Sequence, residues 1–180
     1  IYQQELQYRV GPTYKSGEPL GIYSYEINYP QVGRYWSANN IRYKIVKKTD
    51  TEREVVAMNL SYAKDSDKNK VKKVVIPNTV ALAGKTYRVV GVNKNAFKGL
   101  KNLTTVTIGK NVRNIGAKAF YGCKKLKTVK IQTKKCTFSG KSIWKKTSKK
   151  LVVKVPKSAL KKMRKQLKKS GLKAKAVKAA

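Results

Sequence analysis

The hydrophobic residues between positions 95 and 131 follow a repeat of 23 residues. Segments 95–108 and 118–131 carry the same small or apolar residues at equivalent places, namely Ala96 and Ala119, Phe97 and Phe120, Gly99 and Gly122, Leu103 and Leu126, Val106 and Val129, and Ile108 and Ile131. Polar and apolar residues alternate at the end of each copy, as they do in a short strand, and the preceding residues suit a short helical turn. Because one copy cannot bury these side chains alone, stacked copies must share a core.

Weaker copies flank this pair. The strand-like residues 74–76 precede residues 106–108 by 32 positions, which is one period plus an insertion of nine around residues 81–89. Residues 153–155 follow residues 129–131 by 24 positions, and Trp144 takes the place of Phe120. The spacing predicts an α+β repeat protein, with a short leucine-rich solenoid over residues 71–156 whose strands form a parallel sheet.

Three stretches of this region, residues 76–80, 112–123 and 126–131, resemble the BspA-like leucine-rich repeats of bacterial surface proteins. The pattern of that family runs I-P-x-x-V-x-x-I-G-x-x-A-F-x-x-C-x-x-L-x-x-V-x-I. The first copy has Leu100 in place of the Cys and Val92 in place of the Ile, and both are compatible with a core position. The resemblance implies an extracellular protein that binds other proteins or surfaces through the faces of the solenoid.

The residues before the repeats predict strands of another kind. Two alternating runs, 41–46 and 54–60, are joined by a polar turn and predict a β-hairpin within a segment 41–70. Residues 1–40 form a Tyr-rich β segment with few aliphatic residues of its own, so it is a candidate arm for contacts between subunits. The candidate contact residues are Tyr23, Tyr25, Ile27, Tyr29, Tyr35 and Trp36. The alternative is that this segment packs on its own hairpin.

The segment 157–180 predicts a basic capping helix followed by a tail. Ser158 is a candidate N-cap, the helix extends through Lys169, and Gly171 ends it. Leu160, Met163 and Leu167 form its apolar stripe. No element is predicted for residues 173–180.

Charge divides the chain unevenly. The formal net charge is +35, all eight acidic residues lie at or before Asp67, and only nine of the 43 basic residues lie in residues 1–67. Like charges at this density repel, so we expect an anionic polymer as the counterweight, namely a wall polymer, an acidic glycan or a nucleic acid. The candidate polyanion-binding residues are Lys124, Lys125, Lys127, Lys130, Lys145, Lys146, Lys161, Lys162, Arg164, Lys165, Lys168 and Lys169.

The residues that enzymes need are scarce. The chain has no histidine, and its two cysteines, Cys123 and Cys136, lack the spacing of a zinc site, so no metal or cofactor is predicted. Two buried thiols are favoured over a disulfide, although both fit the sequence. Glu52 and Glu54 read as a solvated turn rather than a catalytic pair, and Asp65 and Asp67 also read as solvated. The sequence therefore predicts a protein that is not an enzyme.

These observations favour a secreted structural or adhesive protein of the bacterial cell surface, with protein partners on the solenoid faces. Self-assembly into a homo-oligomer or filament is a variant that would use residues 1–40. The alternative is non-specific nucleic-acid binding, although lysines far outnumber arginines after residue 67 and exposed aromatic residues are few there. A third interpretation places the helix 158–169 on a membrane surface. A role in capping the solenoid explains its short apolar stripe better. No run is long enough to insert into a membrane, and Ile1 is either a processed terminus or the start of a fragment.

Overall fold

The computed structural model describes residues 30–61, 65–140 and 142–180. The strands are β1 (Tyr35–Ala38), β2 (Ile41–Lys48), β3 (Arg53–Leu60), β4 (Lys73–Ile76), β5 (Thr79–Leu82), β6 (Lys85–Val92), β7 (Thr105–Ile108), β8 (Asn114–Ile115), β9 (Thr128–Ile131), β10 (Thr137–Phe138), β11 (Val152–Val155) and β12 (Val177–Ala179). The helices are α1 (Asp65–Lys68) and α2 (Leu160–Lys169).

The predicted parallel sheet is present and is called the repeat sheet here. Its order is β12-β11-β9-β7-β4, and every neighbouring pair is parallel. In β4, β7, β9 and β11 the second and fourth residues are buried, as Val106 and Ile108 are in β7. The first and third residues of each strand therefore point away from the core.

The second sheet contains the predicted hairpin and runs in the order β1-β2-β3-β6-β8-β10, with β5 paired to β6. Strands β2 and β3 pair antiparallel, which confirms the hairpin. Residues 79–92, which contain the expected insertion, form a second hairpin, because β5 and β6 are antiparallel. Strand β1 also pairs antiparallel with β2, so residues 35–38 pack on their own hairpin across a turn at residues 39–40.

Aromatic rings stack from one repeat to the next. The ring centroids of Phe97 and Phe120 are 5.7 Å apart, and those of Phe120 and Trp144 are 5.4 Å apart. The rings are nearly parallel, with interplanar angles of 11° and 10°. Trp144 thus occupies the Phe position of its copy as expected, and its Nε1 donates a hydrogen bond to Ser170 Oγ at 3.0 Å.

Helix α2 differs from its prediction at the start. Residues 157–159 form a 3-10 turn, and neither this turn nor α2 has a side-chain cap, so the expected N-cap role of Ser158 is wrong. The end agrees with the prediction: Gly171 has φ +96°, and the amides of Gly171 and Leu172 donate to the carbonyls of Lys168 and Leu167. This pairing is a Schellman motif, which glycine favours because it adopts positive φ without strain.

The residues after α2 correct a second expectation. Strand β12 follows the helix and pairs in parallel with β11, with Val153 opposite Val177. The offset of 24 residues equals the preceding one, so β12 is another repeat strand. Helix α2 therefore lies within the repeat succession and does not close it.

Candidate polyanion-binding face

A row of lysines crosses the outer face of the repeat sheet. Lys130 on β9 is opposite Lys154 on β11, and Lys154 is opposite Lys178 on β12. All three side chains are exposed. Because neighbouring strands lie about 4.8 Å apart, the row carries one positive charge at each such step. We call Lys130, Lys154 and Lys178 the lysine ladder.

The rest of this face carries no acid, and its outward residues are threonines, the valines Val75 and Val152, and Lys73. Thr107 continues the row of the ladder on β7, and Thr105 is opposite Thr128 in the adjacent row. These three half-buried threonines have no side-chain hydrogen bond within the part of the chain that the structure describes. Because like charges on adjacent strands repel, the ladder destabilises the free protein, and a bound anion would relieve this repulsion.

The predicted polyanion-binding residues do not form one surface. Lys130 lies in the ladder, and Lys127 directly precedes β9. Lys124 and Lys125 lie in the turn before it, where Lys125 Nζ donates to Asn102 Oδ1 at 2.8 Å. The six helical residues, Lys161, Lys162, Arg164, Lys165, Lys168 and Lys169, follow along α2.

Lys145 and Lys146 lie apart from the ladder, in the turns that connect the second sheet back to the repeat sheet. The Nζ atoms of Lys98 and Lys146 are 5.9 and 5.6 Å from the centroid of the Tyr121 ring. A hydrogen bond from Lys146 and the nearby lysine charges lower the pKa of Tyr121. These side chains form a cation–π cluster on the side of the repeats where the connecting turns lie, and we call this side the turn side.

Sequence reasoning missed two ladder residues, Lys154 and Lys178. A signal for them exists, because a Val-Lys pair recurs at positions 129, 153 and 177 with an unchanged step of 24. Lys178 was missed because the last strand was not predicted. Lys154 was missed because the hydrophobic pattern does not give the register of β11 on β9, which places Lys154 beside Lys130.

The acidic residues Glu52 and Glu54 form ion pairs with basic residues, which the sequence analysis did not predict. Glu54 is only 8% exposed, so it is not part of a solvated turn. Its Oε1 accepts from Arg88 Nη2 at 2.8 Å, and its Oε2 accepts from Arg113 Nη2 at 2.5 Å. Arg88 also donates to Glu52, whose pKa is lowered by its hydrogen bonds to Lys47 and Arg88.

Two of the basic residues that follow Asp67, Arg88 and Arg113, are thus paired with acids of the hairpin segment. The excess of positive charge after Asp67 is therefore partly neutralised within the protein, at these two positions. The pairs join β3 to β6 and to the residue before β8, so they hold the hairpin against the repeats. No acid of the described residues reaches the ladder.

The proposed subunit-contact residues are divided by the limits of the structure. Tyr23, Tyr25, Ile27 and Tyr29 lie outside the described residues. Tyr35 and Trp36 lie on β1, where Tyr35 is 45% exposed and Trp36 packs against the core. The guanidinium of Arg42 lies 4.7 Å from the centroid of the Tyr35 ring.

Both cysteines are free and buried, in agreement with the favoured interpretation. Burial raises the pKa of Cys123 to about 11 and that of Cys136 to about 12. Cys123 Sγ also donates to the carbonyl of Phe97 at 3.1 Å. Within the described residues, no group of three or more acidic or cysteine side chains could hold a metal ion.

We expect both thiols to resist a disulfide reagent in the folded protein at pH 8, because the thiolate is the reactive form and the fold suppresses it. Both should react within minutes in strong denaturant. The raised pKa values stabilise the fold below pH 9, and this contribution should be lost as pH rises towards 12. Rapid reaction of either thiol in the native protein would contradict the buried placement.

Residues 66–173 match the model of the BspA type leucine rich repeat region, which represents six copies of the repeat. The match covers more than half of the 180 residues. The chain belongs to the BspA type leucine-rich repeat family. The ladder lysines Lys130 and Lys154 fall within the matched residues, whereas Lys178 lies beyond them.

A solved structure shows the same fold. A leucine rich cell surface protein from Faecalibacterium prausnitzii A2-165 matches with a TM-score of 0.50 and 20% identity over 68% of this chain. A leucine-rich repeat protein from Bacteroides ovatus ATCC 8483 matches with a TM-score of 0.44 and 19% identity over 68% of the chain. The pneumococcal vaccine antigen PcpA matches with a TM-score of 0.35 and 15% identity over 72%.

The BspA type chain spans a limited part of these proteins, since the matches cover 30%, 38% and 52% of their respective lengths. No curated protein sequence matches the chain significantly. Among the described residues, no helix has the length and apolar character needed to cross a membrane.

Proposed function

We propose that this chain is a non-enzymatic binding module of a bacterial cell-surface protein, with a structural or adhesive role, and that the repeat sheet binds anionic polymers. Membership of the BspA type family supports the surface location and protein partners. The polymer-binding part rests on the lysine ladder, whose exposed charges lie in register without an acidic partner among the described residues.

The composition of the face favours wall polymers or acidic glycans over nucleic acids. The outward residues of β7, β9 and β11 are threonine, lysine and valine, so no aromatic ring of these strands can stack on a base. Lysines act as flexible point charges and read no base edges in a fixed geometry. Self-assembly stays a prediction, since most of the residues proposed for it lie outside the described part of the chain.

Replacing Lys130, Lys154 and Lys178 together with glutamine should weaken binding to an anionic wall polymer by about tenfold or more, because each exposed charge pair contributes about 0.2–1 kcal/mol. The dependence of the logarithm of affinity on the logarithm of salt concentration should also become shallower by about two to three units. Equilibrium binding to the purified polymer at several salt concentrations measures both quantities.

The matched control replaces Lys94, Lys118 and Lys145 with glutamine. These residues are exposed on the turn side, and the control removes the same net charge. Affinity for the polymer should fall much less in this variant. An equal loss in the two variants would show that overall charge, rather than the repeat sheet, binds the polymer.

The surface location has its own test: antibodies against the chain should label intact bacteria that produce it, and labelling of permeabilised cells alone would contradict it.

A further inference from the structure

Arg164 has an unusual position among the arginines of the basic region. Of the three arginines that follow Asp67, Arg88 and Arg113 are paired with Glu54. Arg164 has no carboxylate partner among the described residues. Its Nη2 donates instead to the carbonyl of Val177 at 3.2 Å. This bond ties the guanidinium to β12 and leaves its other N–H groups for a ligand.

Two shallow depressions meet at Arg164. One has a volume of about 520 Å³ and lies against β12, where Lys175 and Lys178 contribute to its wall. The other has a volume of about 370 Å³ and runs along α2, where Lys161, Lys165 and Lys168 contribute. Ala174 lines both, and we call the combined feature the Arg164 groove.

The groove combines positive charge with apolar surface. Leu160, Ala174 and Ala179 are among its lining residues, and five lysines also line it. A planar guanidinium can bind a carboxylate through two parallel hydrogen bonds, which an ammonium cannot do. The apolar part of the lining suits the C–H face of a sugar ring.

The groove is continuous with the lysine ladder, because Lys178 belongs to both. We infer that the Arg164 groove binds a carboxylate-bearing sugar residue of a linear acidic polysaccharide, whose chain continues across Lys178, Lys154 and Lys130. The inference rests on the proposed polymer-binding function and adds the ligand class and a defined subsite. A polymer of polyol phosphates can also bind the guanidinium through two oxygens, but it has no ring face to lie on the apolar part of the groove.

Replacing Arg164 with lysine tests the geometry while keeping the charge. Affinity for hexagalacturonate, measured by calorimetry at fixed salt, should fall about tenfold in Arg164→Lys and at least as far in Arg164→Gln. The matched control for the loss of charge in Arg164→Gln is Lys157→Gln, which removes one charge from an exposed position in the turn before α2, outside the groove, and should change affinity less than threefold. Circular dichroism of each variant checks that the fold is retained.

A second measurement does not depend on variants. On titration with digalacturonate, the backbone amide signals of Leu160, Ala174 and Val177 should shift in NMR spectra, whereas those of the turn side should not. A glycerol phosphate oligomer of equal charge should compete with hexagalacturonate poorly. If it competes as well or better, the assignment of a carboxylate-bearing sugar is wrong.

The two proposals fail in different ways. If Arg164→Lys binds hexagalacturonate as the wild type does while the ladder variant loses binding, the groove is not a subsite and the polymer-binding function stands. If neither variant changes affinity for any anionic polymer, both proposals are overturned.

Discussion

Phe120→Ala should destabilise the protein by about 3–5 kcal/mol, the usual cost of emptying a buried aromatic position. The Phe120 side chain is fully buried, and its ring stacks on Phe97 on one side and on Trp144 on the other. The cavity would therefore interrupt the core that successive repeats share. Urea denaturation followed by circular dichroism measures the loss of unfolding free energy.

Tyr121→Ala is the control for this prediction. Tyr121 is the next residue, its ring is of similar size, and it is only half-buried against Lys98 and Lys146. Its loss should cost much less than that of Phe120, mainly the cation–π contacts. Equal destabilisation by the two substitutions would show that the aromatic stack does not hold the repeats together.

Gly116→Ala should destabilise the protein by about 1–3 kcal/mol, as overpacking of a dense interior does. A Cβ at Gly116 would lie 2.5 Å from the backbone N of Lys94 and 2.7 Å from the carbonyl carbon of Asn93. Both obstacles belong to the main chain of the preceding repeat, so no rotamer change relieves them. Glycine is required here by the close approach of two repeats, and thermal or urea unfolding measures the effect.

Gly91→Ala is the corresponding control. A Cβ at Gly91 would meet the nearest atom, Val56 Cγ2, at 3.4 Å, and this side chain can adjust. The lower entropy of the unfolded alanine chain offsets part of any strain, so the stability change should stay within about 1 kcal/mol. If Gly116→Ala is as mild as Gly91→Ala, the repeats are less tightly apposed than the structure shows.

Glu54 links the acidic part of the chain to the basic part. The acids and the excess of lysines occupy separate parts of the chain, yet Glu54 on β3 accepts hydrogen bonds from Arg88 and Arg113 of the basic part. Arginine is used here where geometry matters, and lysine covers the outer face of the repeat sheet. The charge excess that an external anion could balance therefore consists largely of lysines.

The sequence by itself determined the repeat and its core. The 23-residue spacing of Phe, Leu, Val and Ile places the same side chains inward in each copy, and the structure buries Phe97, Phe120, Val106 and Val129 accordingly. It also determined the hairpin and the end of α2 at Gly171. These features follow from local periodicity and backbone preference, which a single sequence carries directly.

The tertiary structure alone decided which charges lie together. Lys130, Lys154 and Lys178 are separated by 24 residues along the chain and become neighbours through the register of β9, β11 and β12. The sequence predicted a solvated Glu54, because its partner Arg113 is 59 residues away along the chain. Exposed lysines contribute little to the hydrophobic pattern, so their positions are set by how the buried residues stack the strands. The core is encoded locally, whereas the proposed binding face is produced by the packing of that core.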